Sequence, residues 1–402
     1  MSLLIAIALQ AVPIPSTTSE DVVVVGHRLR DALAECIASD CPAEREVEAA
    51  MNASSESFYA GRYEEAKATL QRTIARNKSY AARMPGKMSD LYATYADVAE
   101  HEGDEAAFRA ATVSSVDVLR KYAGRDALVT IVAAPRIGDM FANIGQTATA
   151  DNAYRSARDE AARHGQPAIA ARINVRRAWL AFSANQLSEA RQMIAETERN
   201  YPADPGASAL LRALKVRIAL RGGDNKTADV LLADMRTFPS ARPVLVYEPP
   251  YPQLDATMSS PFDATGDLFT GGSTTGELVV GRSTSGLSDW GDYRWADIGF
   301  WVRPDGTTSE PQILRSSVRD DWAKPVLAQV AKRRYAPLTV EAGSPGSYRI
   351  ERMSIRPRWQ QPTGSHIQRR MGEMTLHFVD LTGVAENEAT SNGSGEKHNT
   401  AS

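Results

Sequence analysis

The first half of the chain has apolar residues at helical spacing. From residue 49 to about residue 235 they recur three and four positions apart, the period of an amphipathic α-helix. The clearest stretch, residues 52–77, carries Gly61, an aromatic residue two positions later, Tyr63, and an alanine five positions after the glycine, Ala66. Glycine can end a helix in the left-handed conformation, an aromatic ring fills the space between two helices, and alanine lets them approach closely. The pattern predicts a hairpin of two α-helices.

Similar units follow at intervals of 42, 42, 40 and 38 residues, counted between the glycine positions. Gly103 begins a looser match, and Asn185 stands where the other units have glycine. The better matches contain Gly145, Ala150 and Tyr154, then Ala190, then Gly223 and Ala228. The array resembles tetratricopeptide repeats, whose strict period is about 34 residues, so longer helices or turns are expected. Such hairpins stack into a superhelix with a concave surface, which either binds a peptide or protein or serves as a spacer.

The pattern changes to alternation in the last third of the chain. Residues 295–302 are rich in aromatic and β-branched side chains and predict a strand, and Pro304, Asp305 and Gly306 predict a tight turn. Residues 312–314 resume an apolar run. From residue 320 the period is helical again, and the helix is expected to end at the RRYAP sequence, residues 333–337.

This order of strand, turn, strand, helix and RRYAP resembles the C-terminal domain of the TonB energy-transducer family over about residues 243–359. Tyr251-Pro252 is similar to the dipeptide that opens many such domains, and residues 348–359 fit the family's last strand. The resemblance implies that the edge of this strand adds an extended partner segment to the sheet. The candidate docking residues are Tyr348, Ile350, Arg352, Ser354 and Arg356. The alternative is that a further predicted strand, residues 374–379, already pairs with that edge and blocks it.

Together these patterns predict an α+β multidomain chain, in which an all-α tetratricopeptide-like superhelix precedes a small antiparallel sheet with one helix. The expected divisions are a signal peptide or short anchor at 1–19, an extended valine-rich segment at 20–30, the repeats at 31–238, a strand and loop region rich in proline, glycine and serine at 239–294, the TonB-like domain at 295–383 and a disordered tail at 384–402. The valine-rich segment also resembles the Ton box of some TonB-dependent receptors. A strand or linker packed on the body is the alternative.

The amino terminus and the cysteines favour export to the periplasm. Residues 3–12 are apolar but too few to span a bilayer, which needs about 20 residues, and they match a secretory signal. A buried amino-terminal helix is the alternative. Cys36 and Cys41 are the two cysteines of the chain. In an unbroken helix they would lie about 7.5 Å apart along the axis, but Pro42 lets the chain turn. A local disulfide is therefore predicted, with two small core residues as the alternative. We expect membrane association only through an uncleaved amino terminus.

Composition and motifs give no indication of catalysis. The net charge of −3 is mild and argues against a dedicated nucleic-acid-binding protein. The six histidines are scattered without metal-ligand spacing, and nucleophile, Walker and dinucleotide motifs are absent from the sequence. We therefore expect no enzyme, no cofactor and no metal site.

The sequence thus predicts an exported, non-enzymatic protein–protein interaction scaffold. Its expected partners are proteins, with cell-envelope and outer-membrane proteins as the first classes to test and self-association by strand addition as a further possibility. A TonB-type energy transducer for outer-membrane transport, a cell-envelope accessory hydrolase and a cytoplasmic repeat adaptor are the alternatives. The chain lacks the long membrane anchor and the proline-and-charge spacer of a transducer.

Overall fold

The structure is a computed structural model that describes residues 22–201, 205–236, 243–249, 275–280, 294–317, 322–341, 343–360, 364 and 369–382. The predicted signal segment, Tyr251-Pro252, most of the loop between residues 255 and 292 and the predicted tail lie outside the described residues.

Helices occupy the described residues up to position 235. They are α1 Val22–Ala38, α2 Ala43–Tyr59, α3 Tyr63–Asn77, α4 Pro85–Glu102, α5 Glu105–Tyr122, α6 Leu128–Ala133, α7 Arg136–Asn143, α8 Thr147–Arg163, α9 Pro167–Ser183, α10 Leu187–Asn200, α11 Pro205–Arg221 and α12 Asn225–Met235. Five hairpins can be traced in this part of the chain, formed by α2 and α3, α4 and α5, α7 and α8, α9 and α10, and α11 and α12. The predicted helical repeat is confirmed.

The glycine positions of the repeat are where each hairpin turns. Gly61, Gly103, Gly145 and Gly223 have φ values between 75° and 79°, and Asn185 takes the same left-handed conformation with φ 58°. Asparagine tolerates this region better than other non-glycine residues, which explains why it can replace glycine there. The alanines that follow pack at the helix contacts and are fully buried: Ala66, Ala150, Ala190 and Ala228.

The aromatic residues of the repeat fill the hairpins, as the pattern predicts. Tyr63 is 6% exposed and Tyr154 is 3% exposed. The ring of Tyr154 lies over Gly138 of α7, where a Cβ atom would come within 2.4 Å of the ring. Gly138 therefore allows α7 and α8 to pack closely in the third hairpin.

The prediction of an extended segment at residues 20–30 is wrong where the structure describes it. The four valines form the first turn of α1, which packs against α2. Strand preference of valine spans only about 1 kcal/mol and depends on context, and each residue added to a helix gains a hydrogen bond. Packing along α2 therefore overrides the local preference.

A disulfide joins Cys36 and Cys41 across the turn between α1 and α2, with the two Cα atoms 5.1 Å apart. The chain turns at Asp40, whose φ is 50°, and the Cys41 backbone N–H donates to the Cys36 carbonyl at 3.0 Å. Beyond the bridge, Arg30 of α1 forms ion pairs with Glu56 and Glu65, both at 3.2 Å.

We expect replacement of Cys36 and Cys41 by serine to lower the free energy of unfolding by about 2 kcal/mol, because the loop that the bridge closes is short. The loss should be local to α1, and hydrogen exchange should become faster in α1 than in α9. Chemical denaturation and exchange mass spectrometry measure the two effects. Equal acceleration of exchange in α1 and α9 would show that the bridge supports the whole array and would contradict the prediction.

The strands of the carboxyl-terminal part form two antiparallel sheets. They are β1 Leu245–Tyr247, β2 Thr275–Val280, β3 Arg294–Val302, β4 Thr308–Ser316, β5 Arg334–Tyr335, β6 Ser347–Gln360 and β7 Arg369–Asp380. The five-stranded sheet has the order β2-β7-β6-β3-β4, and β1 pairs with β5 separately. α13, Lys324–Val330, covers one face of the larger sheet. Its core includes Ile298, Phe300, Val326, Val330, Met353 and Ile355.

The expected helix in this domain is shorter than the sequence predicts. α13 ends at Val330, and Arg334 and Tyr335 form a strand instead of the last helical turn. The reason is long-range, since the partner strand β1 comes from about ninety positions earlier in the chain. The Ala336 N–H donates to the Val244 carbonyl at 2.7 Å, and the Tyr335 N–H donates to the Gly306 carbonyl at 2.8 Å.

The prediction that β6 offers a free docking edge is wrong. β6 pairs with β3 on one side, from Arg294↔Ile355 to Val302↔Ser347, and with β7 on the other, from Glu351↔Asp380 to Gln360↔Arg369. The docking candidates Tyr348, Ile350, Arg352, Ser354 and Arg356 therefore lie on an interior strand. The chain's own β7 fills the edge, as in other proteins that protect exposed strands.

Candidate functional site

The two faces of the larger sheet have different partners. Side chains alternate across a strand, so Ile298, Phe300, Met353 and Ile355 point towards α13. On the opposite face, Asp297 of β3, Arg352 and Ser354 of β6 and His377 of β7 are all fully buried. The elements that bury this second face are α2, α3 and α4 of the repeats, and the contact is the candidate site.

Asp297 and Arg352 form the centre of the site. The register of β3 and β6 places them directly opposite each other. Arg352 donates from Nε to Asp297 Oδ1 at 2.6 Å and from Nη2 to Oδ2 at 2.9 Å. On the other side of β3, Arg315 of β4 is also opposite Asp297, and its Nη2 lies 2.6 Å from Oδ2. One carboxylate thus holds two arginines, and a bidentate pair of this kind is among the stronger charge-assisted contacts.

The same guanidinium reaches across to the repeats. Arg352 Nη1 donates to the Phe58 carbonyl at 2.7 Å and to the Tyr63 hydroxyl at 2.9 Å, and Nη2 donates to the Tyr59 carbonyl at 2.6 Å. Phe58 and Tyr59 are the last residues of α2, where carbonyls lack intrahelical partners. A cation at that end is also favoured by the helix dipole. An arginine of the sheet therefore caps a helix of the first hairpin.

Trp295 of the sheet packs directly on Gly61 of the first hairpin turn. A Cβ atom built on Gly61 would lie 2.5 Å from Trp295 Nε1, closer than real Cβ contacts. The Arg352 guanidinium also lies over the Trp295 ring, with its Cζ 4.0 Å from the ring centroid. Gly61 is therefore needed twice, for its left-handed turn and for the space that the indole occupies.

Two histidines complete the contact. His101 near the end of α4 and His377 of β7 face each other with Nδ1 atoms 3.0 Å apart, and Ser354 Oγ lies 3.3 Å from His101 Nε2. Both imidazoles are fully buried. Since one Nδ1 must donate and the other accept, only one of the two atoms carries a hydrogen in this arrangement. The rings of Phe58 and Tyr63 pack against His101, each with a centroid separation of 4.7 Å.

The electrostatics keep Arg352 charged despite its burial. Burial alone would lower the pKa of Arg352, but its hydrogen bonds to Asp297 and its interactions with Tyr63 and Asp297 outweigh that effect, so the pKa is raised. Lys67 of α3 follows the same rule. Burial opposes its charge, yet Asp104 at 2.7 Å and Glu102 at 3.0 Å raise its pKa.

A second contact joins the sheet domain to the last hairpin. Arg217 of α11 donates to the Leu245 carbonyl of β1 at 3.2 Å. Arg333, 2% exposed, lies 2.9 Å from Glu248 after β1 and 2.6 Å from Glu351 of β6. The domain therefore contacts the first hairpin through β3 and β6, the second hairpin through β6 and β7, and the last hairpin through β1.

Part of this site coincides with the residues predicted to dock an extended partner segment. Arg352 and Ser354 appear among the docking candidates, but their side chains contact the repeats. Tyr348 and Ile350 lie near the start of β6, where Tyr348 packs on Trp301 with ring centroids 5.0 Å apart. The Arg356 side chain lies outside the part of the chain that the structure describes.

Sequence reasoning missed Trp295, Asp297, His101 and the role of His377. The alternation of residues 295–302 could have indicated a polar face, because Asp297 follows Trp295 at strand spacing. No local signal links His101 to His377, which are 276 positions apart.

Asp297 and Arg352 at the centre of the site are paired with each other and shielded from water, so the arrangement fixes two parts of the chain against each other. Within the residues that the structure describes, no group of three or more His, Cys, Asp or Glu side chains could hold a metal ion. In that same part of the chain, no helix is long and apolar enough to cross a membrane.

The chain matches no protein-family model and no curated protein. Solved structures do show similarity. BtubC (BKLC) from P. vanneervenii is 13% identical, over 58% of this chain and 95% of that chain, with a TM-score of 0.41. The Rap conjugation gene regulator of the plasmid pLS20, in complex with the Phr* peptide, is 15% identical, over 56% of this chain and 66% of that chain, with a TM-score of 0.38.

Proposed function

We propose that the protein is an exported, non-enzymatic protein–protein interaction scaffold whose helical repeats bind a protein partner. The sheet domain is a TonB C-terminal-like module that is bound to the repeats instead of docking an extended segment. The observation that carries the proposal is Arg352, which links Asp297 of the sheet to the carboxyl-terminal end of α2.

The sheet domain has few surfaces left for a partner. β7 occupies the edge of β6, α13 covers one face, and the repeats bury Arg352, Ser354 and His377 on the other. The outer edge strand β4 carries Pro311, which has no backbone N–H, and Glu310 with φ 55°, and such features discourage strand addition. At the other edge of this sheet, β2 pairs with β7 on one side. The covered faces and the protected β4 edge favour the repeats as the main partner surface.

The charged groups favour a binding protein over an enzyme. Asp297, Arg352 and Arg333 are each at most 2% exposed and are held in ion pairs, whereas a catalytic group must reach a substrate. A TonB-type transducer needs its last strand open to a partner, and the pairing of β6 with β7 argues against that function.

Export is supported by the disulfide. Bridges persist in oxidising compartments and are rare in the cytosol, and Cys36 and Cys41 are placed for bonding. The apolar run at residues 3–12 fits the same location.

Cross-linking mass spectrometry of the complex purified from the periplasmic fraction tests the proposal. We expect lysine cross-links to a partner from the repeats, at Lys78 and Lys226, which are exposed. The exposed Lys324 and Lys332 of the sheet domain are the matched internal control, with the same chemistry on the other part of the chain.

Partner cross-links confined to Lys324 and Lys332 would contradict binding by the repeats. Recovery of the full-length chain from the cytosolic fraction alone, with Cys36 and Cys41 reduced, would contradict export while leaving the binding surface to be judged by the cross-links.

A further inference from the structure

The short helix α6 is apolar on its outer side as well as on its inner side. Thr130, Ile131 and Ala133 are buried at 3%, 2% and 2% exposure. Leu128, Val129 and Val132 are instead exposed at 56%, 47% and 56%. We call these three residues the α6 outer face. Val132 lies three positions after Val129 and four after Leu128, spacings that make side chains neighbours on a helix, so the three form one contiguous exposed surface.

α6 is peculiar to the third hairpin. There, Pro135 separates α6 from α7, whereas the first helix of each other hairpin is a single uninterrupted helix in the described residues. The Thr130 hydroxyl donates to the Gly124 carbonyl at 2.7 Å and ties α6 to the turn after α5. Tyr122, the last residue of α5, is also 41% exposed. The junction between the second and third hairpins thus has an exposed aromatic ring as well as the aliphatic surface.

The charged side chains between α5 and α6 are mainly positive. Lys121 and Arg125 are exposed, and the Lys121 ammonium lies 4.9 Å from the Tyr122 ring centroid. Arg120 is paired with Asp117 at 3.3 Å, and Asp126 is the opposing carboxylate beside Arg125. Two cations therefore stand against one acid next to the apolar side chains, although the whole chain has a net charge of −3.

We infer that the α6 outer face inserts into the interface of an anionic lipid bilayer, with Tyr122 at the level of the headgroups and Lys121 and Arg125 against the lipid phosphates. Interfacial helices bind in this way, with apolar side chains in the acyl boundary and cations at the surface. Lys121 and Arg125 beside this face complement the negative charge of such a surface. Tyrosine is also enriched at membrane interfaces.

The test is co-sedimentation of the full chain with vesicles of phosphatidylethanolamine and phosphatidylglycerol, compared with vesicles of phosphatidylcholine alone. We expect binding to the anionic vesicles and at least about tenfold weaker binding for Val129→Asp, because the carboxylate must enter the apolar boundary. Lys121→Gln should weaken binding about fivefold. The matched control is Val230→Asp on α12, another valine that is 64% exposed, and it should bind like the wild type.

Equal binding of Val129→Asp and the wild type would overturn the inference, and so would equal loss for Val129→Asp and Val230→Asp. Analytical ultracentrifugation of the same proteins distinguishes the remaining occupant. A wild-type dimer that Val129→Asp converts to a monomer, with no vesicle binding by either, would assign the α6 outer face to a second copy of the chain and would reject the lipid. None of these outcomes depends on the partner of the repeats.

Discussion

Replacing Arg352 with alanine is expected to lower the free energy of unfolding by about 3–5 kcal/mol, the largest loss among the substitutions considered. Removing one partner of a buried ion pair leaves the other charge uncompensated. Here it also removes the donor that reaches the Tyr59 carbonyl at 2.6 Å and one of the two that reach the Phe58 carbonyl, which keeps the Gly61 N–H at 2.9 Å. Chemical denaturation followed by tryptophan fluorescence measures the loss.

Arg315→Ala is the matched control, because Arg315 binds the same carboxylate of Asp297. Its side chain is 49% exposed, so solvent screens the pair and we expect a loss of about 1 kcal/mol or less. Arg352→Lys should not restore stability. A lysine ammonium lacks the planar guanidinium that donates to Asp297 and to two carbonyls at once. If Arg352→Ala cost no more than Arg315→Ala, the sheet would not be held on the repeats through this residue.

Replacing Gly61 with alanine is expected to cost about 3 kcal/mol, from two sources. The left-handed conformation, with φ 77°, costs an alanine about 1–2 kcal/mol. Its Cβ atom would also meet Trp295 Nε1 at 2.5 Å, and overpacking of this kind costs about 1–3 kcal/mol. Denaturation measures the total, and hydrogen exchange in β3 and α2 reports whether the contact between the two parts has opened.

Gly145→Ala separates the two sources. Gly145 occupies the same position of another hairpin with φ 79°, but nothing lies within 4 Å of the Cβ that alanine would add. It should therefore cost only the conformational part, about 1–2 kcal/mol. In a Trp295→Ala background, Gly61→Ala should fall to the same value, as a double-mutant cycle would show. Equal losses for Gly61→Ala and Gly145→Ala in the natural background would count against the contact with Trp295.

Both substitutions test one physical picture, in which the sheet domain is a built-in partner of the repeats. The first hairpin supplies the carbonyls of α2 and the glycine turn, and the second hairpin supplies His101. The sheet supplies Arg352, Trp295 and His377. A strand that the family resemblance assigns to an external partner is instead covered by β7. Partner binding is therefore proposed for the outer surfaces of the repeats.

Local physics explains what could be predicted from the sequence. The helix hairpins depend on a 3.6-residue period and on a left-handed residue at each turn, both decided within a few positions of the chain, and Asn185 could be identified as a glycine substitute for that reason. The strands at residues 295–302 and 374–379 depend on a period of two, which is equally local. The same patterns also explain why Ala66 and Tyr63 are buried.

Tertiary structure alone decided the partners of these elements. The sequence could not show that β7 rather than an external segment pairs with β6, or that residues 334–335 leave the helical pattern to pair with β1. Nor could it predict that valines at the start of α1 would be helical. The docking of Arg352 and His377 on α2 and α4 joins residues more than 270 positions apart. Such contacts depend on which buried donors and acceptors meet when whole elements pack. The spacing of apolar residues along the chain contains no information about these pairs.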